Sequence, residues 1–245
     1  MKYFFLFSFL LFFSACEEKT KNNSNNHTPD KTLTDTIHEV ISEKEIPKPI
    51  VFDYDTTQWT DLHHLDSTII IDMRYATTNN FVKEKMYDCS RCFLRPQVAK
   101  KIVEAHLMLQ EGGLSLKMLD CFRPRPIQQK LWNKFKNPLY VTNPAKGSMH
   151  NRGAAVDLTI VDADGKQLDM GTAFDYFGKE AHHAYTKLSK EVLANRKLLL
   201  ETMQAVELHP ITTEWWHYSF RGKRYELSDM LWECDLKKND SYFYK

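Results

Sequence analysis

Two short segments of this chain concentrate the side chains that could do chemistry: Gly147 to Asp157, reading GSMHNRGAAVD, and Glu214 to His217, reading EWWH. His150, Asp157 and His217 offer two imidazoles and one carboxylate. That is the donor set of a catalytic zinc centre, which binds through three protein ligands and keeps a fourth position for water or substrate. Glu214 is a spare acid three residues before His217. A water acidified by zinc needs such a base within reach, so the four residues together describe metal-assisted hydrolysis. Any one of the ten histidines is more simply read as a surface or satisfied core residue. The arrangement of the set is what singles these out.

Residues so far apart in sequence meet only if particular elements deliver them. Ala155 to Ile160 alternates, with Asp157 and Thr159 on one face and Val156, Leu158 and Ile160 on the other, so Asp157 leaves a predicted strand on its less apolar side. Thr212 to Phe220 also has strand propensity, yet residues three apart on a flat strand point to opposite sides. If Glu214 and His217 converge, Glu214 must sit on a turn or bulge just before the strand proper. Leu114 to Cys121 reads as a strand ending at Phe122-Arg123-Pro124, and ends of elements commonly carry function. Ser67 to Tyr75, rich in β-branched residues, reads as another strand, delivering Arg74 and Tyr75 at its end.

The helices are legible from periodicity. Pro96 opens one that carries Val98, Ile102, Val103, His106 and Leu109 on a stripe until Gly112-Gly113 stops it, with His106 a packed core histidine. A second runs from Pro126 to about Phe135. The longest spans Lys187 to about Glu207 and buries Leu188, Val192, Leu199, Met203 and Val206. Strands mixed with helices in this order predict an α+β domain. Asp162 to Gly165 is a turn; its two aspartates lack the rest of a calcium loop.

The first 50 residues are of another kind. Met1-Lys2, an apolar run from Tyr3 to Phe13 and Ser14-Ala15-Cys16 predict a signal peptide over 1–15, too short in its apolar part to span a bilayer. Small residues before a cysteine resemble a bacterial lipobox, which predicts a lipid on Cys16 and a membrane-anchored, exported protein; Phe13 departs from the usual Leu. Residues 16–50, with an Asn-rich stretch and Pro29, Pro47 and Pro49, have too little apolar material for a core and read as a flexible tether to a domain over 51–245. Basic and acidic residues balance at 33 and 32, which argues against a nucleic-acid partner. Cys89, Cys92, Cys121 and Cys234 allow three full disulfide pairings, and Cys89-x-x-Cys92 lacks the second pair that a structural zinc site needs.

The pattern S-x-H-x-x-G-x-A-x-D from Ser148 to Asp157, followed by E-x-W-H from Glu214, resembles the D-alanyl-D-alanine metallopeptidases, and within them the dipeptidases of the VanX type. Arg74-Tyr75-Ala76-Thr77, Asn80-Phe81, Phe122-Arg123-Pro124, Met170 to Asp175 and His182-His183 extend the likeness over most of the domain. The resemblance implies a small antiparallel sheet flanked by helices, in the hedgehog-like fold of that superfamily, one zinc ion per chain, and hydrolysis of the free dipeptide D-Ala-D-Ala. It also implies roles. Glu214 is the general base, and Arg123 binds the peptide oxygen as negative charge develops there. Asp175 matches the carboxylate that takes the substrate ammonium, Ser148 matches the serine that receives the substrate carboxylate, and Tyr75 lies in the pocket segment. A D,D-carboxypeptidase acting on larger muropeptides would share the zinc motif, and a non-catalytic wall-binding lipoprotein would not need it intact.

Overall fold

In the computed structural model, which describes residues 52–234, the elements follow one another as β1 (Thr60–Asp61), α1 (Leu62–Leu65), β2 (Ile70–Ile71), β3 (Phe93–Leu94), α2 (Pro96–Gln110), β4 (Ser115–Asp120), α3 (Arg125–Lys134), β5 (Ala155–Val161), α4 (Lys190–Ala205), β6 (Leu208–Ile211) and β7 (Glu214–Phe220). The expected signal segment, Cys16 and the tether lie outside the described residues. β1 and β3 form a small antiparallel ribbon, and the other five strands form one sheet in the order β2-β4-β5-β7-β6. The class is α+β, as expected. One departure from an all-antiparallel sheet stands at the edge, where β2 runs parallel to β4.

The alternation read along β5 has its physical cause in the two sides of the sheet. Val156, Leu158 and Ile160 join Ile102 and Leu109 of α2 and Leu199 and Met203 of α4 in the main core. His106 of α2 is buried there and satisfied at both nitrogens: Nδ1 accepts the Leu116 N–H at 3.1 Å, and Nε2 pairs with the Thr68 hydroxyl at 2.9 Å. Asp157 leaves β5 on the other side, directly opposite His217 of β7.

Four expectations need correction or completion. The strand expected over Ser67–Tyr75 shrinks to Ile70–Ile71, because Asp66 caps Thr68 into a turn and Arg74–Ala76 wind into a 3-10 turn after the last ladder bond, from Asp72 N–H to the Met118 carbonyl. The expected helix over 187–207 starts at Lys190, with Ser189 as its cap, so Leu188 lies before it and is only partly buried. β6 was not foreseen; Pro210 obscures it, and such a strand is tolerated here because β6 is an edge. The four cysteines pair as Cys89–Cys234 and Cys92–Cys121, which leaves none for a metal. The second bridge ties the residue just before β3 to the residue just after β4.

The turn before β5 depends on one glycine. Gly153 has φ +66°, and a Cβ there would stand 2.4 Å from Cζ3 of the buried Trp59 ring. Gly153→Ala therefore meets both a left-handed backbone and an aromatic wall. The expected loss of stability is about 2 kcal/mol or more, read as a lower denaturant midpoint at unchanged slope.

Candidate metal centre and substrate cleft

Three adjacent strands place a row of polar side chains across the sheet. Asp120 of β4 lies opposite Asp157 of β5, which lies opposite His217 of β7. Directly opposed residues stand with Cβ atoms about 5 Å apart, close enough to share one ion. Asp120 enters the row through a bulge, since the register shifts between Met118 and Asp120. A second irregularity acts on β7: Pro210 pairs with Tyr218 while Ile211 pairs with Glu214. Glu214 is thus the first residue of β7 and not, as the sequence led us to expect, a residue ahead of the strand. The irregular pairing that follows it supplies the break in regularity and leaves Glu214 Oε2 4.0 Å from His217 Nδ1.

His150 comes from the 3-10 turn His150–Arg152 just before β5. Its Nδ1 donates to the Cys121 carbonyl at 2.7 Å, which fixes the tautomer and leaves the Nε2 lone pair for a metal. That Nε2 lies 3.1 Å from His217 Nδ1 and 3.3 Å from Asp157 Oδ1, and the last two atoms are 3.0 Å apart. Ligand atoms at about 2.0–2.1 Å around a tetrahedral zinc stand about 3.3 Å from one another. The triangle of donors is thus close to one face of a zinc tetrahedron. Among the described residues this is the group of histidines, cysteines and acids that converges in this way.

Electrostatics assign different tasks to the acids. Burial raises the pKa of Asp157, but His150 and His217 outweigh it and hold the carboxyl well below the usual range, so it stays an anion, as a ligand must. Burial pushes Glu214 up to about 7, against a partial pull down from His217. A carboxyl near neutrality can both take and return a proton. Asp175 is raised well above its ordinary value by burial and by Asp157, while Tyr75 donates to its Oδ2 at 2.9 Å. Asp175 also holds φ +59°, a left-handed conformation uncommon for a residue with a side chain and typical of functional positions.

Arg123 follows β4 and is buried against Asp120, to which Nε and Nη2 donate at 3.0 and 2.6 Å, while Nη1 donates to Gln128 at 3.0 Å. It lies over the Tyr75 ring, 5.0 Å from the centroid. Ser148 donates its hydroxyl to Asn151 Oδ1 at 3.0 Å, so its proton is committed within the turn. Tyr75, Arg123, Ser148, His150, Asp157, Asp175, Glu214 and His217 all line one cleft of about 540 Å³, within the range of small-molecule sites. Every site residue expected within the described part of the chain is brought together there.

Sequence reasoning missed the residues that hold this set in place. Asp120 anchors Arg123, accepts from Tyr87 at 2.9 Å and stands 3.7 Å from His150 Nδ1. Asn151, fully buried, donates to the Arg123 carbonyl at 2.7 Å while its oxygen accepts from Ser148. A carboxylate closing an apolar strand three residues before Arg123 was the available signal for Asp120; nothing local marks Asn151.

An α+β fold whose central strands, with the 3-10 turn before β5, present two histidines and a carboxylate to a cleft, with a separate acid beside them, is the architecture of a metal-dependent peptidase. The chain belongs to the D-Ala-D-Ala dipeptidase family, whose model matches residues 55–233. It is 33% identical over 164 residues to the D-alanyl-D-alanine dipeptidase of Escherichia coli K12, covering 67% of this chain and 85% of that one. It is 28% identical over 175 residues to the D-alanyl-D-alanine dipeptidase of Enterococcus faecium and 26% identical over 175 residues to that of Enterococcus faecalis V583, each covering 63% of this chain and 87% of the relative.

A metal that binds the folded state raises its stability by mass action. Added zinc is expected to raise the thermal midpoint of metal-stripped protein by several degrees, and Asp157→Ala, which removes the central donor, is expected to abolish that rise.

Proposed function

We propose that this protein is a zinc-dependent dipeptidase that hydrolyses free D-Ala-D-Ala to D-alanine. The observation that carries the reading is the donor triangle of His150, Asp157 and His217 with Glu214 beside it, on a chain of the dipeptidase family. Zinc held by the three ligands supplies Lewis acidity to polarise the scissile carbonyl and acidify the attacking water.

The chain's own residues do the rest. Glu214, near neutrality in its proton affinity, takes the proton of the attacking water and hands it to the leaving amine. Arg123, locked by Asp120 and Gln128, keeps further N–H groups for the peptide oxygen as charge develops. Because it is held in place beforehand, little reorganisation is needed at the moment of reaction. Asp175 receives the substrate ammonium, whose arrival favours the ionised carboxylate that burial opposes, and the Tyr75 hydroxyl orients it. Ser148 lines the part of the cleft that takes the substrate carboxylate.

Glu214→Gln preserves shape and the three ligands but cannot carry a proton. The expected result is about one zinc per chain with turnover reduced at least about a thousandfold; a Gln variant near normal activity would remove Glu214 from the mechanism. Hydrolysis of free D-Ala-D-Ala but not of an N-acylated analogue separates the dipeptidase from a D,D-carboxypeptidase acting on larger muropeptides. A protein that binds no zinc and cleaves neither would return the reading to a non-catalytic wall-binding lipoprotein.

The signal segment and Cys16 support an exported, lipid-anchored location, with 16–50 as a tether. An enzyme outside the inner membrane meets dipeptide released from the wall rather than the cytoplasmic precursor pool, which fits turnover or salvage. Cys16→Ser is expected to shift the protein from the membrane to the soluble fraction; unchanged fractionation would remove the lipid anchor.

A further inference from the structure

Arg152 closes the turn that carries His150 and is one of the residues lining the cleft, although it is only 8% exposed. Its guanidinium makes one hydrogen bond, from Nη1 to the Tyr225 carbonyl at 2.6 Å, and has no carboxylate partner among the described residues. Its Nε and Nη2 are not sealed from solvent.

Other buried arginines show how this fold treats a guanidinium whose task is structural. Arg95 engages all three nitrogens, with the Arg152 carbonyl, Gln58 and the Glu226 carbonyl, and lies 4.1 Å from the Trp59 ring centroid. Arg196 donates from all three nitrogens to the carbonyls of Met170, His182 and Glu180. Neither lines the cleft. Arg123, which does, has Asp120 as its counter-charge. Arg152 therefore combines near-complete burial, a position in the cleft, uncommitted donors and an unbalanced charge. A buried charge is costly until an opposite charge meets it, and guanidinium with carboxylate is the pairing of best geometric match.

We propose that Arg152 receives the free C-terminal carboxylate of the substrate and makes the enzyme selective for dipeptides that carry one. This rests on the dipeptidase reading. Ser148 is neutral and its proton is turned to Asn151, so it does not by itself balance a carboxylate. Asp175 for the ammonium and Arg152 for the carboxylate, both lining the cleft, are the complement of the two ends of a zwitterionic dipeptide. Arg221 also lines the cleft but is exposed, where a guanidinium is hydrated and its pairings contribute little.

The test compares D-Ala-D-Ala with its C-terminal amide as substrates of the zinc-loaded full chain and of Arg152→Met, Arg152→Gln, Arg152→Lys and Arg221→Met. The unaltered enzyme is expected to prefer the acid strongly in kcat/KM. Arg152→Met should raise KM for the acid at least about 30-fold with a much smaller change in kcat, and collapse the preference over the amide at least tenfold. Lys should restore part of the preference, and Arg221→Met should leave it in place. Arg152→Gln, which keeps a donor for the Tyr225 carbonyl while losing the charge, serves if Met disturbs folding, with zinc content and thermal midpoint as the check. Equal use of acid and amide by the unaltered enzyme overturns the role of Arg152 while the dipeptidase reading stands, as does an effect confined to Arg221. If the unaltered enzyme cleaves neither, the dipeptidase reading itself fails and the role of Arg152 falls with it.

Discussion

The registers that set Asp120, Asp157 and His217 side by side on three neighbouring strands are the constraint on which the site depends. Side chains of a strand alternate between faces, so a slip of one residue in either pairing would turn a ligand from the cleft into the core. The apolar face guards against that slip. Val156, Leu158 and Ile160 are buried against the helices, and moving them to the cleft would expose three large aliphatic side chains. The packing of the helix-covered face thus enforces the geometry of the metal face.

Regular strands alone would not complete the site. One bulge moves Asp120, rather than Leu119, into line with Asp157, and the irregular pairing of β6 with β7 turns Glu214 toward the side on which His217 lies. Both departures cost ladder bonds and both occur where a carboxylate is needed. The charges are arranged with similar economy. Asp120 is wholly buried, yet it has Arg123 and Tyr87 as partners, so the Arg123 guanidinium is fixed rather than searching. Asp175, in contrast, is held by one hydroxyl in a left-handed backbone and has no such cation bonded to it among the described residues.

Much of this was legible in the sequence because it is local. The faces of β5, the stripe of α2 with His106 inside it, and the need for a break in regularity at Glu214 all follow from side-chain period and the type of residue at each position. The candidate ligands were legible because histidine, aspartate and glutamate at these spacings have few other uses together. What stayed hidden depends on partners far away in sequence. Cys89 meets Cys234 across 145 residues, and four cysteines cannot announce their pairing. Pro210 masks β6, whose place at the edge is a property of the whole sheet. Ile70 and Ile71 look like part of a longer strand until the Asp66 turn and the 3-10 turn at Arg74 shorten it. Asn151 and Arg152 sit within the motif, and only their three-dimensional neighbours distinguish their tasks.

X-ray absorption on the zinc-loaded protein addresses the shared ion most directly, because it reads the metal's neighbours without reference to activity. The account predicts a four-coordinate shell of nitrogen and oxygen at about 2.0–2.1 Å, with the outer-shell signature of two imidazoles. A sulfur shell near about 2.3 Å, or a spectrum with a single imidazole, would contradict the assignment of His150, Asp157 and His217 to one zinc ion.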